Sequence, residues 1–194
     1  PSQHSFPTRR SSDLISFVWQ KESNGFSHHM LRFLENHDET RIASKDFAQN
    51  PWYAVPGMVI TATLSSGPVM IYNGQEVASP LKLSFFFKTP IDWSINPEVT
   101  QEYKKIIALR KSSVAIKRGT INHYQNNSDV VAFKKTSGNE EIVVLANVRD
   151  QSINYNVDAS LKTKQWKNAF TDADISVANA INLAPYSYIV LKNK

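Results

Sequence analysis

Asn36, His37 and Asp38 stand in a row directly after an apolar run, the one place in this 194-residue chain where apolar strand gives way to tightly clustered polar side chains. Successive side chains of an extended strand point to opposite faces, so an amide, an imidazole and a carboxylate in sequence serve one ligand only where the chain leaves a sheet and curls over its end. The run ahead of them, Met30-Leu31-Arg32-Phe33-Leu34, is short enough to be one barrel strand, and parallel α/β folds bind ligands at such strand ends. A purely local role competes with this one, because Asn and Asp at a strand-to-loop turn hydrogen-bond neighbouring backbone.

Phe33 to Asp38, reading FLENHD, resembles the fourth conserved region of the α-amylase family of glycoside hydrolases, which closes the seventh strand of a (β/α)8 barrel. Gly67 to Glu76, GPVMIYNGQE, is similar to that family's eighth strand and its exit, and Ile91-Asp92-Trp93-Ser94 precedes a helix as it often does there. The resemblance spans roughly residues 29 to 192, with three motifs in order. It implies a retaining glycosidase, which needs a nucleophile and a general acid/base whose carboxyl groups lie about 5 to 5.5 Å apart. In the family those two sit at the ends of strands four and five, and the Asp of the strand-seven motif is a third, supporting carboxylate. By resemblance Asp38 takes that part, accepting hydrogen bonds from the sugar and favouring the oxocarbenium-like transition state, and His37 donates to the same sugar. Glu35 and Asn36 are read as strand-end scaffolding. Nothing ahead of FLENHD matches strands one to six or the segments that carry the nucleophile and the acid. The chain is therefore expected to be the C-terminal part of such an enzyme, acting on α-glucan only when complete and inactive as it stands. No cofactor is expected in this segment; calcium is left open for the full-length enzyme.

Composition fits a globular protein, with 41% apolar and 20% charged residues. The net charge of +5 comes from Lys and Arg spread along the chain, with no block that would track a phosphate backbone, so nucleic acid is not an expected partner. Without Cys there is neither a disulfide framework nor a thiolate metal site. No apolar stretch approaches the roughly 18 residues that span a membrane, and the first residues lack the apolar core of a signal peptide. A monomer with no membrane contact is expected. No compartment is legible, although an extracellular or periplasmic setting suits the full-length enzyme.

Residues 1 to 14, PSQHSFPTRRSSDL, have no helical or strand period and read as a non-native leader that resembles translated sequencing adapter. Ile15 to Trp19 is a short apolar run, and Asn24-Gly25 signals a turn. His28 and His29 are neighbours on extended chain, so they diverge and make an unlikely metal pair. A helix is expected between Pro51 and Thr63, with Val55, Val59 and Ala62 facing the barrel and Ser65-Ser66-Gly67 ending it. Pro68 to Tyr72 reads as a parallel strand buried on both faces. Glu76 reads as structural before catalytic. Residues 77 to 95 form a long loop whose Phe85, Phe86, Phe87 and Trp93 either stack on sugar or, the more ordinary outcome, pack on the barrel rim. The next helix has Asn96 as cap, Pro97 in its first turn and a stripe of Val99, Tyr103, Ile106 and Ile107, ending near Ser112-Ser113.

From about Arg118 the period changes to two: Ile153, Tyr155 and Val157 alternate with polar residues, Ile142 to Val148 is nearly all apolar, and turns are signalled at Asn126-Asn127, Ser137-Gly138-Asn139 and Arg149-Asp150. Asn126-Asn127-Ser128 also matches a glycosylation sequon, a triplet common by chance. The expected architecture is α/β plus all-β: residues 15–113 as the last two strand/helix units of a (β/α)8 TIM barrel, and residues 114–194 as an antiparallel β-sandwich of about seven or eight strands. The competing function, from a different class, is a non-catalytic carbohydrate-binding protein on the same sandwich.

Overall fold

A computed structural model describes residues 26–48, 50–124 and 127–193. The leader, the Ile15 to Trp19 run, the Asn24-Gly25 turn and Asn126 of the sequon lie outside the described residues. Among those described are the helices α1 (Val55–Leu64), α2 (Pro97–Ser112), α3 (Val114–Arg118) and α4 (Ala159–Lys162). The strands are β1 (Thr120–Tyr124), β2 (Val130–Ser137), β3 (Glu140–Asn147), β4 (Ile153–Asn156), β5 (Trp166–Asn168), β6 (Asp174–Ile175), β7 (Ala180–Leu183) and β8 (Tyr188–Asn193).

Six strands form one antiparallel sheet in the order β1-β2-β3-β8-β5-β6, and β4 pairs with β7 in a second sheet of two strands. The β2–β3 hairpin closes over Gly138-Asn139, with Ser137 opposite Glu140 and Gly138 at φ 55, the left-handed conformation such a tight turn asks of glycine. The central strand β3 is buried along nearly its whole length because both faces of the large sheet are covered. On one face Val131, Phe133, Ile142, Val144, Ala146 and Val190 share a core with Val55, Met58, Val59 and Ala62 of α1, Val99, Tyr103 and Ile106 of α2, and Ile116 of α3. On the other face Val143, Leu145 and Leu191 pack with Ile153 and Tyr155 of β4, Leu161 of α4, Trp166 and Leu183. The layers are thus unequal: helices, a six-stranded sheet, then a two-stranded sheet with a short helix.

Both expected long helices are present. Val55, Val59 and Ala62 are buried as the spacing requires, but their neighbours include strands β2 and β3 of the large sheet. The cap expected at Asn96 does not form. Its backbone is left-handed at φ 46, which turns the side chain away from the first helical N–H groups, and Nδ2 donates to the Val77 carbonyl at 2.8 Å instead. At the far end of α2, Ser113 accepts from Ile116 N–H at 3.0 Å and starts α3, while Glu140 accepts from Val114 N–H at 2.9 Å and Ala115 N–H at 3.2 Å, a carboxylate at a helix N-terminus.

The two segments expected to be barrel strands form no ladder. They share a single parallel bridge between Arg32 and Val69, closed by Arg32 N–H to Pro68 O and Met70 N–H to Arg32 O, both 2.9 Å. Two bridged segments do not make a barrel, and a ladder held from one side has little to propagate along. Two cations reinforce these layers: half-buried Arg110 joins α2 to the end of α1, and fully buried Lys135 joins the sheet to the helices. Arg110 of α2 donates to the carbonyls of Ala62 at 2.6 Å and Ser65 at 2.9 Å, and also to those of Ser66 and Gly67. Lys135 of β2 donates to Ile116 O and Ser66 Oγ. No helix of the described residues is long and apolar enough to cross a membrane.

Candidate functional site

Glu35, Asn36, His37 and Asp38 separate into two buried or bonded supports and two exposed side chains. Asn36 Oδ1 accepts the backbone N–H groups of Asp38 and Glu39, each at 2.9 Å, and this turn carries the chain off its bridged segment. The local capping role foreseen for this stretch therefore falls to Asn36. Asp38 is left with its side chain 69% exposed, and His37 beside it is 61% exposed, with His37 Nε2 3.5 Å from Asp38 Oδ2.

Beneath them Glu35 is 3% exposed and accepts Ile42 N–H at 2.8 Å, with the Arg41 guanidinium 3.3 Å from its other oxygen. Burial pushes the Glu35 carboxyl up, against the Ile42 N–H and the Arg41 charge that pull it down. Arg41, itself 1% exposed, holds three stretches together. It donates to Ser79 O at 3.2 Å and to Asn73 O at 2.8 Å, and its guanidinium sits 5.0 Å over the Tyr72 ring. Gly74 allows this approach: at φ 85 it is left-handed, and a Cβ there would come 2.8 Å from an Arg41 nitrogen. The exit of GPVMIYNGQE is thereby locked against the foot of the His37–Asp38 turn. No sequence pattern singles out Arg41. Its partners are main-chain carbonyls more than thirty positions away, and no side-chain type announces those.

The long loop supplies the rim. Phe85 meets the His37 ring edge-on at 5.6 Å and 82°. Phe85, Phe86 and Phe87 are 60%, 88% and 79% exposed, so they do not pack down among the described residues. Ser84 Oγ accepts from the N–H groups of Phe86 and Phe87, and Thr89 Oγ1 accepts from Ser84 N–H at 3.1 Å, fixing the loop tip. Glu76 lies close enough to Glu35 for its charge to help raise that carboxyl. It lines a separate cleft with Ile71, Thr100 and Tyr103, and its backbone carbonyl accepts from Thr100 Oγ1 at 3.0 Å.

A carboxylate that accepts, an imidazole able to donate and an exposed phenyl face are together suited to a hydroxylated ring: the first two bond its hydroxyls and the third covers its apolar face. Among the described residues no group of three or more His, Asp or Glu is placed to hold a metal ion.

Residues 122–190 match the family model of the maltogenic amylase C-terminal domain. The chain is 27% identical over 169 residues to α-amylase 2 of Dictyoglomus thermophilum, covering 81% of this chain and 28% of that protein. It is 25% identical over 207 aligned positions to the cyclomaltodextrin glucanotransferase of Klebsiella oxytoca, covering 91% of this chain and 30% of that protein. The chain thus spans less than a third of the length of these curated relatives. Its fold superposes on the crystal structure of an Anoxybacillus α-amylase with a TM-score of 0.78 at 18% identity, over 92% of this chain and 41% of that one.

Proposed function

The chain carries an α-amylase family C-terminal region, and from that premise we propose that it is part of a retaining glycoside hydrolase acting on the α-glucosidic bonds of starch-type glucans. On this reading the bridged segments at Arg32 and Val69 are the neighbouring seventh and eighth strands of a (β/α)8 barrel of about 250 residues, with α1 and α2 as the helices that follow them. Residues 15–113 belong to that barrel and residues 114–194 form the appended β-domain. The nucleophile and the general acid/base lie on barrel segments that this chain does not contain, so the chain alone is expected to cleave nothing.

The observation that carries the reading is the division of labour in FLENHD. Glu35 and Asn36 are consumed in holding the turn, whereas His37 and Asp38 project from it beside Phe85. Asp38 accepts hydrogen bonds from hydroxyls of the sugar at the cleavage point, and these strengthen as the ring distorts and gains positive charge. His37 donates to the same sugar, its ring set by the edge contact with Phe85. The buried Glu35–Arg41 pair beneath fixes the turn, so neither group has to be reorganised during reaction.

Asp38→Asn in the complete enzyme tests this. The shape is kept and the charge is lost, so kcat should fall by roughly 100 to 1,000-fold with much less change in KM. Near-normal kcat would remove Asp38 from the site. Turnover of maltooligosaccharides by the isolated chain above a buffer control would contradict the placing of the missing carboxylates. Binding of the same sugars by the complete native protein without any cleavage would favour the carbohydrate-binding alternative.

A further inference from the structure

A second ligand-sized site lies where the N-terminal part of the described chain meets the large sheet. We propose that the cleft walled by Tyr53 and Tyr186 binds one or two pyranose rings of a neutral oligosaccharide. Neither His37 nor Asp38 lines it, so the proposal does not rest on their role.

The cleft encloses about 380 Å³, within the range of roughly 300 to 1,000 Å³ usual for small-molecule sites. Leu34, Gly57 and both tyrosines line it, and Asp46, Arg149 and Asp150 supply its charged groups. The rings stack on one another at 3.8 Å and 14°, so each covers one face of the other and the C–H face of a pyranose would lie on an outer face of the pair. The charged groups decide the class of ligand. Two carboxylates face one guanidinium, and that guanidinium already has its Nε 3.2 Å from Asp129. Such a lining repels phosphates and carboxylates, but its oxygens accept hydrogen bonds from neutral hydroxyls.

The site is also built in advance. Asn147 is fully buried and donates to Gln151 O and Ala184 O, each at 2.8 Å, while its own oxygen accepts Arg149 N–H at 2.9 Å. One side chain thus fixes both loops that bear Arg149, Asp150 and Tyr186. Tyr186 N–H donates to Arg149 O at 3.0 Å, and its backbone is held at φ 47, left-handed and strained for a bulky residue. Strain that a surrounding network maintains is characteristic of ligand sites. The rival explanation is that the tyrosine pair only fastens two layers of the fold.

Titration of the full chain with maltotriose and with cellotriose, followed by calorimetry and by the NMR signals of the tyrosine ring protons, separates the two. Saturable binding of either sugar should shift the Tyr53 and Tyr186 ring signals. Tyr186→Gly removes the ring at a backbone conformation glycine adopts freely, and should weaken that binding by at least about tenfold, the loss of one good stacking contact. Three results would overturn the proposal: no binding of either sugar, shifts confined to His37 and Phe85, or a folded Tyr186→Gly protein with unchanged affinity and only a lower Tm. Should Tyr186→Gly fail to fold, the wild-type ring shifts alone decide.

Discussion

Met30 to Leu34 and Ile142 to Ala146 are both five-residue apolar-rich runs, yet they meet different fates. Ile142, Val143, Val144, Leu145 and Ala146 are at most 2% exposed, paired to β2 on one edge and β8 on the other and covered on both faces. Met30, Leu31 and Phe33 are 42%, 48% and 45% exposed, and the run holds one bridge. Hydrophobicity favours burial in both, but a strand's hydrogen bonds and its two faces must be met by other segments. The same local signal therefore gives the centre of a sheet in one place and a partly bare segment in the other. The apolar core also crosses the junction at residues 113/114, because one face of the β-domain's large sheet is covered by helices from the other side of it.

Cutting the chain at residues 113/114 should have the largest effect. Residues 114–194 made alone would expose Phe133, Ile142 and Val144 to water and lose the Tyr188 bond to Glu102 and the Lys135 bond to Ser66, so the fragment should aggregate or lose its cooperative transition. A soluble 114–194 fragment with the full chain's Tm would show that the shared core is dispensable. That outcome would match an independently folding β-sandwich, which the change of period near Arg118 suggests by itself.

Phe133→Ala probes the same face with one side chain. Phe133 is fully buried, and its truncation should cost about 3 to 5 kcal/mol in denaturant unfolding. Under 1 kcal/mol would mean that the helical layer is not closely packed on the sheet.

The seam between layers also carries an electrostatic signature. Burial, with Arg110 nearby, lowers the Lys135 ammonium from 10.5 to about 8. Below pH 8 both folded and unfolded chains carry the proton and the fold bears the full cost of the buried charge. Between pH 8 and 10.5 the unfolded chain binds more protons, so stability rises with pH, by about 3 kcal/mol from this residue. Tyr103 and Tyr188, both raised chiefly by burial, act in the opposite sense above pH 10. Unfolding followed from pH 7 to 10 should show the rise, and Lys135→Met should abolish it.

The smallest effect belongs to the bare segment. With Phe33 45% exposed, Phe33→Ser in this chain should change stability by less than about 0.5 kcal/mol. A loss as large as that of Phe133→Ala would place Phe33 in a packed core.

Much of the local structure was legible in the sequence because it rests on near neighbours. Pro97 and the Val99, Tyr103 and Ile106 stripe identify α2, Gly138-Asn139 the hairpin, and Ile153, Tyr155 and Val157 the inward face of β4. FLENHD marked a turn through residue types that act on the backbone beside them, as Asn36 does. Asn96 shows the limit even there, since one left-handed φ sends a good capping side chain to Val77. What the tertiary structure alone decided are relations across long separations: Arg41 reaching Asn73 and Ser79, β8 entering the sheet between β3 and β5, the helices covering the sheet's second face, and Tyr53 meeting Tyr186. Periodicity and turn chemistry report the preferences of a few consecutive residues. Carbonyl oxygens, ring faces and sheet edges acquire their partners only when distant segments are brought together, and no pattern along one stretch encodes which segment arrives.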